Sequence, residues 1–560
     1  MQSAFTRLKR LSCLSTSMCM VLGITAATSG FAQNHPAEKK STTTTTTTAS
    51  EPATPPAPPV LDSNTESTVS IGGKTVAYKA SAGFITVGAT DTQDAMLALD
   101  GKLLPDSGVE PAAKPQDARP TARMFYTAYF AKGFDAGTRP IMFFYNGGPG
   151  SATMYLRMAS MGPVRVQLPD LQHPAGGPYK IVPNQYSLLD AADIVFIDAP
   201  GTGYSRVVGK DAGKAFYGID EDANAFQRFI RRFLSKYNRW DSPRFLFGES
   251  YGTTRDAVLA ADLQQHGVDL NGVVFLSQIL SFDNSADGSD GNPGTENGFY
   301  LALPSFAATA WYHHKVANQP ADLQPWLHEV EQYSIGDYAS ALLQGADLDP
   351  AKKAAVAAKL ESYTGVPAAV WIKANLRLTG GQFAKYLQDS SDITTGRLDA
   401  RFEGPALNPM SSESEYDPFT ESIESAILAA MNTYAHDTLK FGQDMTYQPS
   451  ARDPGFNWDM KHRPPGQQGW DGVSSNVSAD LAYTLKVNPK MHILLMGGYF
   501  DLGTLYFGAT YEMKHLPIPA SLQKNIEYKF FPTGHMVYVN EEALHGLHDR
   551  TAEFIHENEK

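Results

Sequence analysis

The chain has 560 residues, 42% of them hydrophobic, which is enough to build one large domain with an insertion or two to four ordinary ones. Its formal net charge is −13 at pH 7, and a protein this acidic gains nothing from phosphate backbones, which argues against nucleic acid as a partner. Beyond the N-terminal region no segment offers about 18 uninterrupted apolar residues, so the sequence predicts no stable membrane insertion.

The first 32 residues have the layout of a secretory signal peptide. Basic residues precede a largely apolar stretch, Leu11–Ile24, and small residues lead to a cleavage site after Ala32. We therefore expect export, to the periplasm or the medium. Both cysteines, Cys13 and Cys19, lie within this leader, so the mature chain would have no disulfide, no cysteine metal site and no thiol nucleophile.

Low-complexity sequence follows the leader. Residues 33–67 are rich in Thr and Pro and include seven consecutive threonines, Thr42–Thr48. Such a segment cannot bury enough apolar surface to offset its ordering entropy, so it is predicted to be a disordered linker. The texture then becomes β-like in Val69–Tyr78, Ala82–Val87 and Ala122–Phe130, which predicts an opening antiparallel set of strands.

Short apolar runs then alternate with helical patterns. The runs are Ile141–Tyr145, Ile194–Ile197, Phe245–Phe247, Val273–Leu276, His492–Met496 and Ile526–Phe531. Buried strands that alternate with helices predict an α/β fold with a mostly parallel central sheet and helices on both faces. The stretch between the fourth and fifth runs is far longer than one crossover needs. We therefore predict a largely helical cap insertion, residues 285–485, between two parts of the core, residues 68–284 and 486–560.

The pentapeptide Gly248-Glu249-Ser250-Tyr251-Gly252 fits the Gly-x-Ser-x-Gly nucleophile elbow. In that motif the serine occupies a strained turn between a strand and a helix. A short apolar strand precedes the pentapeptide, and a helical pattern, Thr253–Gln265, follows it. A glycine-bracketed helix start in an inert sheet is the alternative, but the full strand, turn and helix predict that Ser250 is a nucleophile.

A serine hydroxyl attacks only when a histidine takes its proton and a carboxylate orients that histidine. In the α/β-hydrolase fold the acid and the base follow the serine, each at the end of a later strand. Asp501 comes just after the run His492–Met496, and His535 comes just after Ile526–Phe531. A surface or capping role is the usual alternative for any single Asp or His. Their positions predict a catalytic triad of Ser250, Asp501 and His535 on an α/β-hydrolase fold.

Such a triad also requires an oxyanion hole made of backbone amides. Tyr251, directly after the nucleophile, supplies one amide. The glycine-rich turn Asn146-Gly147-Gly148-Pro149-Gly150, directly after a predicted strand, is placed to supply the other. We predict no cofactor. We also predict no metal, because the acidic loop Asp283–Gly298 lacks the alternating spacing of an EF-hand.

Several of these blocks together resemble the serine carboxypeptidase family, and they occur in the family's order. They are Asn146 to Gly150, Asp198 to Ser205, Gly248 to Gly252, Asp501, and Gly534-His535. The resemblance implies hydrolysis of C-terminal peptide bonds through an acyl-enzyme on Ser250, with peptide or protein C-termini as substrates and Gly148 and Tyr251 as oxyanion donors. It also implies that Asn146 and Glu249 bind the substrate's free carboxylate, for which Glu249 must be protonated.

One position departs from the family's pattern. The family usually has a second glutamate where counting along this chain places Ser160. A serine can donate a hydrogen bond at any pH but cannot raise the pKa of Glu249 by repulsion, so we expect a weaker acidic optimum or a shifted specificity. An esterase or acyltransferase on the same scaffold and a catalytically silent binding protein remain as alternatives. The sequence does not define the oligomeric state.

Overall fold

A computed structural model describes residues 62–287, 292–451, 456–466 and 476–560. The predicted signal peptide and most of the predicted linker lie outside these residues. The strands are β1 Asp62–Ile71, β2 Lys74–Gly88, β3 Thr121–Ala131, β4 Ile141–Tyr145, β5 Val164–Val166, β6 Ile181–Pro183, β7 Asp193–Ile197, β8 Arg206–Val208, β9 Arg244–Glu249, β10 Gly272–Leu276, β11 Ile393–Thr395, β12 Glu403–Pro405, β13 His492–Gly498 and β14 Ile526–Phe531.

The α-helices alternate with these strands and fill the stretch between β10 and β13. They are α1 Asp91–Asp94, α2 Met154–Ala159, α3 Ala212–Phe216, α4 Ile219–Tyr237, α5 Tyr251–Gln265, α6 Asn297–Tyr312, α7 Leu323–Tyr333, α8 Ala339–Leu342, α9 Pro350–Thr364, α10 Ala368–Lys373, α11 Gly380–Tyr386, α12 Pro418–Asp437, α13 Ser478–Val487, α14 Tyr506–Lys514, α15 Ala520–Gln523 and α16 Glu541–Asn558. Among the described residues no helix is both long and apolar enough to cross a membrane.

The main sheet has the order β1-β2-β3-β7-β4-β9-β10-β13-β14, with β8 paired to β3. The first three strands and β7 pair antiparallel, and every pairing from β7 to β14 is parallel. An antiparallel start followed by a parallel sheet with helices on both faces confirms the predicted α/β-hydrolase fold. The parallel strands read as continuous apolar runs because both faces of the sheet are buried.

Strand β4 shows how the sheet is covered. Phe144 packs in the hydrophobic cluster that includes α2, α12 and α16, whereas Phe143 and Tyr145 pack in the cluster that includes α4, α5 and α13. Because successive side chains on a strand point to opposite faces, one five-residue run serves two cores. Its carboxyl end is thereby fixed where the glycine-rich turn begins.

The opening of the domain corrects two predictions. Residues 62–67, assigned to the disordered linker, form the start of β1, because the strand pairs along its whole length with β2 despite its few apolar side chains. The single strand predicted over 69–78 is a hairpin instead, since Gly72 and Gly73 both have positive φ and turn the chain. A two-glycine turn with positive φ at both residues matches the right-handed twist of an antiparallel pair.

The stretch between β10 and β13 is largely helical, as predicted. Helices α6 to α11 share a hydrophobic cluster with Phe500 and Leu502, which follow β13. In contrast, α12 packs in the same cluster as α2, and α13 packs against α5 within the core. The boundary predicted between residues 485 and 486 therefore falls inside a core helix. The division into core and cap otherwise stays a prediction.

Candidate active site

Ser250 occupies a sharp turn between β9, which ends at Glu249, and α5, which begins at Tyr251. Its φ of 60° and ψ of −130° lie where a residue with a side chain is rarely found. The Ser250 amide donates to the carbonyl of Leu276, the last residue of β10, at 3.0 Å. Its side chain is half-buried at the carboxyl end of the sheet. This is the backbone geometry of a nucleophile elbow.

Two glycines allow the glycine-rich turn to touch the elbow. A Cβ added to Gly147 would lie 2.4 Å from the amide nitrogen of Tyr251 and 2.7 Å from the carbonyl oxygen of Glu249. A Cβ on Gly248 would lie 2.2 Å from the carboxylate of Asp256. A side chain at Gly147 would push the turn away from the elbow, and one at Gly248 would push β9 away from α5 within the elbow that the turn contacts.

His535 and Asp501 are both buried and directly bonded, with His535 Nδ1 2.7 Å from Asp501 Oδ2. The amides of Gly503 and Thr504 donate to Asp501 Oδ1 at 2.8 and 2.9 Å, and the Thr504 hydroxyl donates to Oδ2 at 2.6 Å. Burial lowers the pKa of His535, but the Asp501 carboxylate reverses this effect and raises it above the usual value. The carboxylate holds Nδ1 as the protonated nitrogen, which leaves Nε2 free to accept a proton.

Ser250 and His535 line the same cavity of about 120 Å³, together with Gly148 and Tyr251. The structure thus brings the serine, the histidine with its bonded Asp501, and both predicted oxyanion residues to one place. Among the described residues the Ser250 hydroxyl makes no hydrogen bond to His535. Hydrogen bonds of this type often form only when substrate is bound.

Asn146 and Glu249 lie next to this cavity and bond to each other. Asn146 Nδ2 donates to Glu249 Oε2 at 3.0 Å, and the Tyr538 hydroxyl donates to the same oxygen at 2.6 Å. Burial raises the pKa of Glu249 to about 7, against the opposing effects of His535 and Tyr538. Glu249 is therefore protonated for the most part in acidic solution, without a second carboxylate beside it.

Ser160 ends α2 and is fully buried. Its carbonyl accepts a hydrogen bond from Asn184 Nδ2 at 2.6 Å, and its hydroxyl has no partner among the described residues. Ser160 does not line the cavity that contains Ser250. Besides Asn146, Tyr538 bonds to Glu249, and the sequence did not predict this contact because no motif marks Tyr538 beyond its closeness to His535.

A buried ion pair also supports the site and was not predicted. Arg255 of α5 bonds to Asp222 of α4 at 2.6 Å through Nε, and its Nη1 donates to the carbonyl of Asn146 at 2.9 Å. Both side chains of the pair are buried. The pair therefore ties the glycine-rich turn to the two helices behind it. An arginine one turn into the helix after the elbow was the available signal.

Within the described ranges no group of three or more His, Cys, Asp or Glu side chains is arranged so that it could hold a metal ion. The arrangement is that of an α/β-hydrolase whose elbow serine faces a histidine and carboxylate pair. Residues 115–274 match the family model described as serine carboxypeptidase. The resemblance seen in the sequence is confirmed: over this segment the chain is similar to the serine carboxypeptidase family.

Curated relatives match shorter stretches. The pheromone-processing carboxypeptidase KEX1 of Saccharomyces cerevisiae is 35% identical over 120 residues, or 20% of this chain and 15% of that protein. Its counterpart from Yarrowia lipolytica is 31% identical over 133 residues, or 23% and 20%. Carboxypeptidase Y homolog A of Arthroderma otae is 25% identical over 205 residues, or 34% of each. The chain matches no more than about a fifth of the length of the pheromone-processing relatives.

Solved structures that match this chain at low similarity include the proline iminopeptidase of Mycobacterium smegmatis. It covers 88% of this chain and 99% of its own, at 11% identity and a TM-score of 0.32. A soluble variant of the monoglyceride lipase from Saccharomyces cerevisiae covers 81% of this chain and 98% of its own, at 10% identity and a TM-score of 0.32.

Proposed function

We propose that the protein is a serine carboxypeptidase that hydrolyses C-terminal peptide bonds through an acyl-enzyme on Ser250. The observation that carries the proposal is the cavity in which the elbow serine faces His535, whose other ring nitrogen bonds to the buried Asp501. The match of residues 115–274 to the serine carboxypeptidase model supports the same activity. Peptide or protein C-termini would be the substrates.

In the proposed reaction, Ser250 Oγ attacks the carbonyl carbon of the scissile bond while His535 Nε2 accepts its proton. The amides of Gly148 and Tyr251 stabilise the oxyanion that forms. The C–N bond then breaks, and His535 returns the proton to the leaving amine. Water, deprotonated by His535, attacks the ester carbonyl, and Ser250 leaves with that proton restored. Asp501 stabilises the imidazolium in both halves of the reaction.

Carboxylate recognition by Asn146 and Glu249 is part of this proposal. The raised pKa of Glu249, about 7, supports it, because only a protonated glutamate can donate to a substrate carboxylate. Asn146 and Tyr538 both donate to Oε2, which leaves Oε1 as the oxygen that would carry the proton. Ser160, which takes the place of the family's second glutamate, bonds to neither Asn146 nor Glu249 and does not line the cavity, so it is not part of the proposed carboxylate contact.

Export is proposed on the basis of the leader sequence, which places the enzyme outside the cytoplasm, in the periplasm or the medium.

The test uses N-blocked dipeptides with free or amidated C-termini, with wild type and Ser250→Ala compared. We expect hydrolysis of the free acids, weak hydrolysis of the amides, and loss of both in Ser250→Ala. An organophosphonate should label the wild type and should not label Ser250→Ala. Esters cleaved with no peptide hydrolysis would instead favour the esterase alternative, and absence of labelling would favour a silent binding protein.

A further inference from the structure

The cavity that contains Ser250 and His535 is also lined by Arg397 and Leu398. Both come from the long stretch between β10 and β13, just after β11. Among the residues of this cavity that the structure describes, Arg397 is the one with a permanent charge; the others are apolar or neutral polar groups and His535. An arginine in a small cavity beside a nucleophile is a candidate for substrate recognition, because a guanidinium binds planar anions in fixed geometry.

The backbone of Arg397 and Leu398 is held by the two loops that carry the proposed acid and base. The Leu502 amide donates to the carbonyl of Arg397 at 3.0 Å, and the His535 amide donates to the carbonyl of Leu398 at 2.6 Å. The carboxylate of Asp417 accepts from the amides of Arg397 and Leu398 at 3.0 and 3.3 Å. The arginine therefore starts from a backbone that is fixed relative to His535.

The guanidinium retains unused donors. Its Nε and Nη2 donate to one oxygen of Asp287 at 3.2 and 3.1 Å. Nη1 makes no hydrogen bond in the described part of the chain and lies on the side of Gly503, where an added Cβ would come within 3.2 Å of it. Gly503 also lines the cavity. A guanidinium has five N–H groups, and Asp287 uses one on Nε and one on Nη2. The N–H groups of Nη1 and the second one of Nη2 can therefore bind another carboxylate.

The residues that the family resemblance assigns to carboxylate binding are placed differently. Asn146 and Glu249 bond to each other, are almost fully buried, and do not line this cavity. The side-chain oxygen of Asn146 accepts from the Leu156 amide at 3.1 Å, and one N–H of Nδ2 is used by Glu249, so the other N–H is the donor that could reach a ligand. Asn146 and protonated Glu249 would offer an anion only neutral hydrogen bonds from outside the cavity lining. Arg397 offers a positive charge within the lining.

We propose that Arg397 is a specificity-determining residue that binds a carboxylate of the substrate within the cavity. The proposal rests on the acyl transfer proposed above. Two sources have this chemistry: the C-terminal carboxylate of the peptide and an acidic side chain next to the scissile bond. The half-exposed guanidinium, 45% accessible, admits either.

The experiment compares wild type, Arg397→Met, Arg397→Lys and a control, Arg119→Met, which removes the same charge from an exposed residue outside the cavity lining. Substrates are N-blocked dipeptides as free acid or amide, each with Glu or Gln at the penultimate position. Loss of one charged hydrogen bond predicts that Arg397→Met lowers kcat/KM for the anionic substrate about 10- to 100-fold, mainly through KM. Arg397→Lys should recover part of this loss, and the uncharged substrate should be affected little.

The two sources give different patterns. If the C-terminal carboxylate is bound, the acid-to-amide ratio falls in Arg397→Met for both side chains. If an acidic side chain is bound, the Glu-to-Gln ratio falls instead. Ratios that match those of wild type and Arg119→Met in both comparisons overturn the proposal.

A second readout separates this proposal from the activity itself. Two phosphonate probes, one with a carboxylate and one with the corresponding amide, label Ser250 without any need for peptide hydrolysis. Normal labelling by the amide probe shows that each variant is folded, and a selective loss of labelling by the anionic probe supports Arg397. If wild type labels normally but hydrolyses no peptide, the proposed function fails while the role of Arg397 is still decided by the probe ratio.

Discussion

His462 lies between two carboxylates and should make stability depend on pH between neutral and alkaline conditions. Its Nδ1 is 2.6 Å from Asp220 Oδ1, and its Nε2 is 2.7 Å from Asp480 Oδ2. Since both ring nitrogens face acceptors, both carry protons and the ring is an imidazolium. Burial opposes this charge, but the two hydrogen bonds outweigh it and raise the pKa of His462 to about 9.

The size of the stability effect follows from the shift in the pKa of His462. A rise from about 6.5 to about 9 corresponds to about 3 kcal/mol of stability, at about 1.4 kcal/mol per pKa unit. Because the folded-state pKa is raised, this contribution is complete below pH 6.5 and is lost as pH rises through 9. Burial also raises the pKa of Asp480, so part of the gain offsets the cost of that buried carboxylate, and about 3 kcal/mol is an upper bound.

The assay is calorimetric unfolding of wild type and His462→Gln from pH 6 to pH 10 at constant ionic strength. For about 500 folded residues, 1 kcal/mol corresponds to about 1 °C in Tm, so the wild-type advantage should shrink by up to about 3 °C across this range. The variant shares every other titrating group and the same growth of negative charge, which makes it the control. Parallel Tm curves for the two proteins would refute the assignment of an imidazolium to His462.

Three further changes test the site. Asp501→Asn should lower kcat about 10⁴-fold with little change in Tm, because the histidine loses its orienting partner but the fold does not; steady-state kinetics and calorimetry check both parts. Tyr538→Phe removes a donor that lowers the pKa of Glu249, so the alkaline limb of the kcat/KM profile on free-acid peptides should move above its wild-type position near pH 7. Gly147→Ala places a Cβ 2.4 Å from the Tyr251 amide and should slow phosphonate labelling of Ser250 at least 10-fold; an unchanged rate would mean that the turn can withdraw.

The central sheet and the placement of the three proposed triad residues at one edge of it were predictable because their signals are local. Each buried strand is a short apolar run, and Ser250, Asp501 and His535 directly follow such runs, so chain order and strand ends were enough to bring them to one edge. In the opening hairpin the same reasoning failed. There the apolar residues change from odd positions before Gly72-Gly73 to even positions after them, and a Gly-Gly pair between two strand patterns is itself a hairpin signal that the prediction overlooked.

The walls of the cavity could not be predicted in this way. The carbonyl of Leu398 accepts from the His535 amide and that of Arg397 from the Leu502 amide. Every residue has a main-chain carbonyl, so such bonds cannot be read from residue type. Counting along the chain placed Ser160 where the family has a second glutamate. In the structure, Tyr538, 289 residues after Glu249, donates to the Glu249 carboxyl group instead. Contacts between distant segments depend on packing that no single-sequence pattern encodes.

The two carbonyls at positions 397 and 398 have a consequence for engineering. Because the loops after β13 and β14 hydrogen-bond to them, the stretch between β10 and β13 is not an independent module that can be exchanged for a relative's. A chimaera whose grafted stretch follows a different main-chain path would leave the amides of Leu502 and His535 without these acceptors. The position of the proposed base, His535, would then change together with the shape of the cavity. Redesign of selectivity should therefore retain the main-chain path at these two positions and vary only the side chains around it.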